Sequence, residues 1–319
     1  MRTTKSLSAN SSFAYKQNFY NAPMKRRLAL AGLAALLAAC QTPPPKPPPV
    51  AATPPPPPAP PKPPRIGLAL GGGAARGFAH IGVIQVLEEA GILPSLVAGT
   101  SAGSLVAAMY AAGKSGAEMA KVALAMDESA ITDWSFPGRG LIRGEALARY
   151  ARDQAGGRLI EQLPLPLGIV ATDLDSGEAV LFQRGDVGAA VRASSAVPAV
   201  FQPVKIGTRE YVDGGLASPV PVRFARQMGA ELVLAVDIST APEGNPTGDM
   251  MRLLLQTFAI MGRSINHFEL RDADVVVRPR LAGVGSADFT ARKRAIDAGR
   301  EAALAMLPQL RQRITALTH

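Results

Sequence analysis

Two tight glycine turns, one βα unit apart, constrain this chain more than any other feature. Ile66-Gly67-Leu68-Ala69-Leu70 is a short apolar run, and Gly71-Gly72-Gly73-Ala74-Ala75-Arg76-Gly77 follows it directly. Phe78 to Ala90 then shows helical spacing: Val83, Val86, Leu87 and Ala90 fall on one face. Gly91 stops that helix. Leu93 to Ala98 reads as a second strand, and Gly99-Thr100-Ser101-Ala102-Gly103 opens a second helix running through Ala112. Strand, turn, helix, strand, turn, helix begins a parallel sheet with helices packed on it.

The rest of the chain continues the alternation. Leu167 to Leu174 and Glu178 to Phe182 read as strands around a turn at Asp175-Ser176-Gly177. A helix near Val222 to Met228 precedes a buried strand from Glu231 to Ile238. Met250 to Leu270 reads as a long helix, Asp274 to Val277 as a strand and Ala291 to Leu307 as a final helix. The expected fold is a mostly parallel, three-layer α/β/α domain over residues 66–310.

The segment before Ile66 reads differently. Lys25-Arg26-Arg27 precedes the apolar run Leu28 to Ala39, too short to span a bilayer but right for a secretory signal. Met24, just before the basic triplet, is the expected start. Leu37-Ala38-Ala39-Cys40 resembles the bacterial lipobox, in which the cysteine becomes the lipidated first residue. Residues 1–40 are therefore expected to be a signal segment, with membrane anchoring through acyl chains on Cys40. By the same resemblance, Gln41 after the cysteine points to the outer membrane, facing the periplasm. Residues 41–65 are largely proline and favour a semi-rigid polyproline II spacer.

Charge and residue inventory then exclude several functions. The formal charge of +9 invites a nucleic-acid partner. However, six of the 34 basic residues and none of the 25 acidic ones precede Cys40, so the remainder carries only +3. No basic cluster interleaved with aromatics occurs there, which argues against nucleic-acid binding. Cys40 is the only cysteine, which excludes an intramolecular disulfide and a cysteine-based metal site. His80, His267 and His319 are far apart, so no metal is expected.

Three readings compete for the first glycine turn. A phosphate loop needs Gly-Lys-Ser/Thr at its end, which is missing. A dinucleotide fingerprint needs an acidic residue after the second strand, where Gly99-Thr100-Ser101 stands instead. A glycine turn opening a helix can also offer unpaired N–H groups to a developing oxyanion. The second turn favours this last reading. Gly99-Thr100-Ser101-Ala102-Gly103 has the GxSxG form of a nucleophile elbow, with small residues at 99 and 103 permitting a sharp strand-to-helix turn that presents Ser101.

A serine nucleophile needs a base, and none of the three histidines is an obvious partner. An aspartate can serve when desolvated, and Asp213 in Tyr211-Val212-Asp213-Gly214-Gly215 is the best candidate. Read alone, Asp213-Gly214 is a common turn. Taken with Gly71–Gly77 and Gly99–Gly103, however, Asp213-Gly214-Gly215 resembles the patatin-like phospholipase family. The resemblance covers roughly residues 66–300. Weaker support comes from Gly140-Leu141-Ile142-Arg143-Gly144, Ala171-Thr172-Asp173-Leu174 and Arg192-Ala193-Ser194-Ser195-Ala196-Val197-Pro198.

That resemblance implies a modified α/β hydrolase with a Ser–Asp dyad, no histidine and no cofactor. Ser101 is then the nucleophile and Asp213 the base. The oxyanion hole comes from the backbone of Gly71, Gly72, Gly73 and Ala74, with the Ala102 N–H as a further candidate. Gly77, Gly99, Gly103, Gly214 and Gly215 shape the loops. The family's glycine block is often written GxGxxG; here the third glycine falls one place later, at Gly77, which leaves open which amides form the hole. Arg76 either braces the loop through a carboxylate or attracts an anionic head group. Asp173 reads as structural, and Ser194 and Ser195 as helix-end or packing residues. Trp134, Phe136 and Leu141 form an apolar loop with Pro137 and Gly138 that flanks an acyl groove or is plain surface. The expected substrate is a lipid or other carboxylic ester. A thioesterase, an acyltransferase and a non-catalytic envelope scaffold remain alternatives.

Overall fold

The computed structural model of the chain describes residues 62–134 and 138–318. The expected signal segment, Met24, Cys40, most of the proline tract, Phe136, Pro137 and His319 lie outside the described residues.

A mostly parallel sheet organises the domain. Its strands are β1 (Ile66–Leu70), β2 (Leu96–Thr100), β4 (Leu167–Asp173), β5 (Ala179–Phe182), β7 (Val204–Ile206), β8 (Arg209–Asp213), β9 (Leu232–Val236) and β10 (Val275–Val277). β3 (Gly140–Ile142) and β6 (Ala199–Phe201) pair in a separate ribbon. Strands β10, β9, β1, β2 and β4 run parallel in that order, and β5, β7 and β8 are antiparallel additions. The helices are α1 (Phe78–Glu89), α2 (Ala102–Ala111), α3 (Gly116–Ala125), α4 (Glu145–Gln154), α5 (Val187–Ser194), α6 (Val222–Gln227), α7 (Met250–Glu269) and α8 (Arg292–Ala316).

The strand pleat sends alternate side chains into two cores. Leu68, Leu70, Leu232, Leu234 and Val236 face a large core with α1, α2, α3 and α8. Ala69, Leu96, Ala98, Val233 and Ala235 face a smaller core under α6. This is the expected three-layer architecture, with one thick helical layer and one thin one. The thick layer is close-packed: a Cβ added at Gly82 of α1 would lie 2.0 Å from the Ile296 carbonyl oxygen of α8.

Two boundaries differ from expectation. The second strand begins at Leu96, not Leu93, and extends to Thr100. Leu93 is exposed and Pro94 lacks an N–H, so the ladder cannot start there. The C-terminal helix continues past Pro308 to Ala316. Proline removes one N–H, whose partner would be the carbonyl of Leu304, a residue exposed to water. Leu310 beyond it is buried and ties the last turns to the core.

Candidate active site

Strand β4 brings the two candidate catalytic side chains together. Ile169 pairs with Gly99 on one edge and Phe182 on the other, while Ala171 pairs with Asp213 on one edge and Val180 on the other. Since β5 occupies one edge throughout, β2 and β8 must share the opposite edge, end to end. Val170 pairs with Thr100, and the next residue, Ala171, pairs with Asp213. Ser101 and Asp213 thus leave the sheet at neighbouring positions, although 112 positions separate them in sequence.

The turn that carries Ser101 is strained and tightly held. Ser101 has φ 52° and ψ −124°, outside the regions an L-residue normally occupies. The reversal fits because a Cβ at Gly99 would lie 2.4 Å from the Gly103 carbonyl oxygen, and one at Gly103 would lie 2.2 Å from that of Leu70. Several bonds over-determine the geometry. Ser104 Oγ donates to the Ser101 carbonyl at 2.6 Å, and Thr100 Oγ1 donates to the Ser218 carbonyl at 2.9 Å. The Ser101 N–H donates to Ser194 Oγ at 2.8 Å, and that hydroxyl donates onward to the Val170 carbonyl at 2.5 Å.

Asp213 is 6% exposed, and burial pushes its carboxyl up to about 6. The Ser101 hydroxyl and the Gly215 N–H both act to restrain that rise. Gly215 donates to Oδ1 at 2.6 Å, but Oδ2 has no partner of full hydrogen-bond geometry among the described residues. The serine hydroxyl therefore approaches the carboxylate without closing a bond on Oδ2, as is usual before substrate binds. The Asp213 backbone is fixed on both sides, its N–H donating to Ala196 and its carbonyl accepting from Thr172 Oγ1, each at 2.9 Å.

The glycine turn divides into a bonded half and an open half. The Gly71 N–H donates to the Val236 carbonyl and the Gly72 N–H to the Pro219 carbonyl, each at 3.0 Å. These two amides cannot also face an oxyanion, which corrects the broader expectation of four donors. Gly73, Ala74 and Ala102 donate their N–H groups to no other described residue. Gly72 instead supplies room: a Cβ there would lie 3.1 Å from Ser101 Cβ. His80 is fully buried and held near 4 by desolvation, hence neutral, and its Nε2–H donates to the Gly71 carbonyl at 2.8 Å.

Arg76 is 6% exposed and forms no ion pair within 4 Å among the described residues. Its Nε donates weakly to the Gly73 carbonyl at 3.4 Å, and Asp237 acts on it only through space. The loop is thus braced through a carbonyl, not through the expected carboxylate. Asp173 is structural: the Ser176 N–H and Arg209 hold its carboxyl down at about 2. Gly214 packs against the Val170 carbonyl and Thr100, and Gly77 against Ala102. His267 is exposed and bonded to Arg271, and does not line the Ser101 cleft. Trp134 is exposed and bridges to Ile142 in the β3–β6 ribbon.

The cleft over Ser101 has a volume of about 230 Å³. Gly72, Gly73 and Ala74 line one wall, Asp213 and Gly215 a second, and Phe258, Ala259 and Gly262 of α7 a third. Sequence reasoning found α7 but not its place beside Ser101, and it missed the contact of Ser194 with the elbow. It also missed Ser218, whose hydroxyl donates to buried Glu269 of α7 at 2.7 Å. A serine amid small residues is the sole local signal at either position. Among the described residues, no His, Cys, Asp or Glu grouping could hold a metal, and no helix is long and apolar enough to cross a membrane.

Comparisons with known proteins bear on the family and the fold. Residues 68–226 match the patatin-like phospholipase family. An uncharacterized NTE family protein of Mycobacterium tuberculosis is 42% identical over 184 residues, covering 57% of this chain and 51% of the relative. Patatin-like phospholipase domain-containing protein 6 of Mus musculus is 36% identical over 188 residues, covering 56% of this chain and 14% of the relative. The chain thus spans about half the length, or less, of these curated relatives. Among solved structures, VipD from Legionella pneumophila shares the fold, with a TM-score of 0.53 at 16% identity over 76% of this chain and 67% of that one. The chain belongs to the patatin-like phospholipase family.

Proposed function

We propose that this protein is a serine lipid acyl hydrolase of the phospholipase or lysophospholipase type, with Ser101 as nucleophile and Asp213 as its base. The observation that carries the reading is the shared edge of β4, where Thr100 and Asp213 pair with successive residues. The ester carbonyl lies over the open amides of Gly73 and Ala74, with Ala102 as a third donor. As Ser101 Oγ attacks, its proton passes to Asp213, and the tetrahedral oxyanion accepts from those N–H groups. Each well-placed donor contributes about 3–4 kcal/mol to the barrier reduction. The leaving alcohol takes the proton, and water deprotonated by Asp213 cleaves the acyl-enzyme. A carboxyl raised to about 6 suits this role, because it stays mostly ionised at neutral pH yet accepts a proton more readily than a solvated aspartate.

The site-level test is turnover of a lysophospholipid by wild type, Ser101→Ala and Asp213→Asn. Loss in both variants is expected, and activity retained in either removes that residue from the mechanism. For cellular placement we infer lipidation at Cys40 and an outer-membrane anchor facing the periplasm. This rests on sequence alone, the anchor on Leu37–Cys40 and the outer membrane on Gln41. Incorporation of labelled palmitate that survives Cys40→Ser would remove the anchor.

A further inference from the structure

Two adjacent residues just after the Asp213-Gly214-Gly215 turn touch every part of the site. The Ser218 carbonyl accepts from Thr100 Oγ1 at 2.9 Å and so holds the residue before the nucleophile. The Pro219 carbonyl accepts from the Gly72 N–H at 3.0 Å and so holds the glycine turn. The Ser218 N–H donates to the Gly214 carbonyl at 2.8 Å, which ties the pair to the residue after Asp213. Ser218 and Pro219 thus set the elbow, the oxyanion turn and the exit from the base relative to one another. Ser101, at φ 52°, keeps its strained backbone only while its surroundings over-determine it.

The pair is itself held by a carboxylate from another element. Ser218 is fully buried, and its hydroxyl lies 2.7 and 2.9 Å from the two oxygens of Glu269, the last residue of α7. Arg223 Nε meets the same carboxylate at 3.2 Å, and its Nη2 donates to the Ala217 carbonyl at 3.1 Å. Glu269 is buried. Stability explains such a group poorly, because a buried ion pair contributes little beyond apolar side chains of the same volume. Direction explains it better, since an acceptor fixes where the Ser218 hydroxyl points and a leucine would not. Neither Glu269 nor Ser218 lines the Ser101 cleft.

We propose that Glu269 is a positioning residue for both catalytic turns: through the Ser218 hydroxyl it fixes the carbonyls of Ser218 and Pro219, and these fix the Thr100–Ser101 elbow and the Gly72 end of the oxyanion turn. The proposal rests on the hydrolase reading of Ser101 and adds a residue to that same site. A role confined to clamping the end of α7 has a different signature. Phe258, Ala259 and Gly262 of that helix form a wall of the cleft, so a loosened α7 would weaken substrate binding and raise KM. Misplaced turns would instead lower kcat, because they disturb the attacking oxygen and the amides that meet the oxyanion.

Turnover of p-nitrophenyl butyrate and amide hydrogen exchange on the full chain test this together. Glu269→Leu should lower kcat about tenfold or more and leave KM within about threefold of wild type. Ser218→Ala removes the same link from its other end and should give the same loss, which keeps the test alive if the leucine variant fails to fold. The double variant should be no worse than the poorer single one, because both changes cut one chain of contacts. Glu269→Gln keeps an acceptor oxygen for the hydroxyl and should restore most of kcat. In Glu269→Leu, exchange at the Gly72 N–H should quicken about tenfold relative to the amides of β9, whereas general destabilisation would quicken both alike. An unchanged kcat in both single variants, a loss that falls on KM, single losses that multiply, a glutamine variant as poor as leucine, or a Gly72 exchange ratio that does not move would each overturn the proposal. A wild-type protein that turns over no ester, with Gly72 exchange still responding, would remove the hydrolase reading and support the brace.

Discussion

Replacing Asp213 by asparagine should separate activity from stability in opposite directions. The carboxyl is 6% exposed and stands at about 6 in the folded protein, against an ordinary value of 3.8 in water. Ionising it in the fold is therefore unfavourable by about 3 kcal/mol, at 1.36 kcal/mol per unit. The sign follows from linkage: a carboxyl raised by folding favours the native state while protonated, and that advantage is lost as pH rises from about 4 through about 6. Asparagine keeps the shape and never ionises. Asp213→Asn should therefore match wild type in denaturant unfolding near pH 3.5 and exceed it by up to about 3 kcal/mol above pH 7. The same variant should lose about two to four orders of magnitude in ester turnover. For wild type, kcat/KM should rise with pH through an apparent pKa near 6, since only the ionised form accepts the serine proton. A stability difference that does not change with pH, or wild-type turnover flat from pH 5 to 8, would refute the claim that burial of Asp213 tunes the site.

Other perturbations probe the parts that support the dyad. Ser194→Ala orphans the Ser101 N–H and the Val170 carbonyl, so unfolding free energy should fall by about 1–3 kcal/mol, with Ser101 acylation slowed about tenfold or more; Ser194→Thr should recover part of both. Gly72→Ala sets a methyl 3.1 Å from Ser101 Cβ, and should lower kcat more than thermal stability; a kinetic silence would contradict that contact. Glu269 is pushed up to about 7 by burial, against the Ser218 hydroxyl and Arg223. The stability it gives when protonated is lost as pH rises through about 7, so Glu269→Gln should slow hydrogen exchange in the last turns of α7 at pH 8 but not at pH 5.

Much of the domain was readable from local pattern because its first half is built from local units. The elbow could be read because Gly99, Ser101 and Gly103 have fixed roles within one five-residue turn, although the room that Gly103 leaves for the Leu70 carbonyl of β1 shows only in the fold. Asp213 needed the resemblance, because β8 reads only as Arg-Glu-Tyr-Val-Asp and its meaning lies in the pairing with Ala171. Spacing could not separate Gly71 and Gly72 from Gly73 and Ala74, since the carbonyls that occupy the first two belong to Val236 and Pro219, far along the chain. Ser194 was hidden for the same reason: it ends α5 and acts across space on β4 and the elbow. Pattern placed α7 correctly as a long helix, but only tertiary structure sets it beside Ser101.

The central claim is that Ser101 is an activated nucleophile, and intact-protein mass spectrometry with a fluorophosphonate tests it most directly. One phosphonyl adduct per chain is expected, mapped by fragmentation to Ser101, absent in Ser101→Ala and formed far more slowly in Asp213→Asn. An adduct on Ser194, Ser195 or Ser218, or labelling unchanged by Ser101→Ala, would contradict the account.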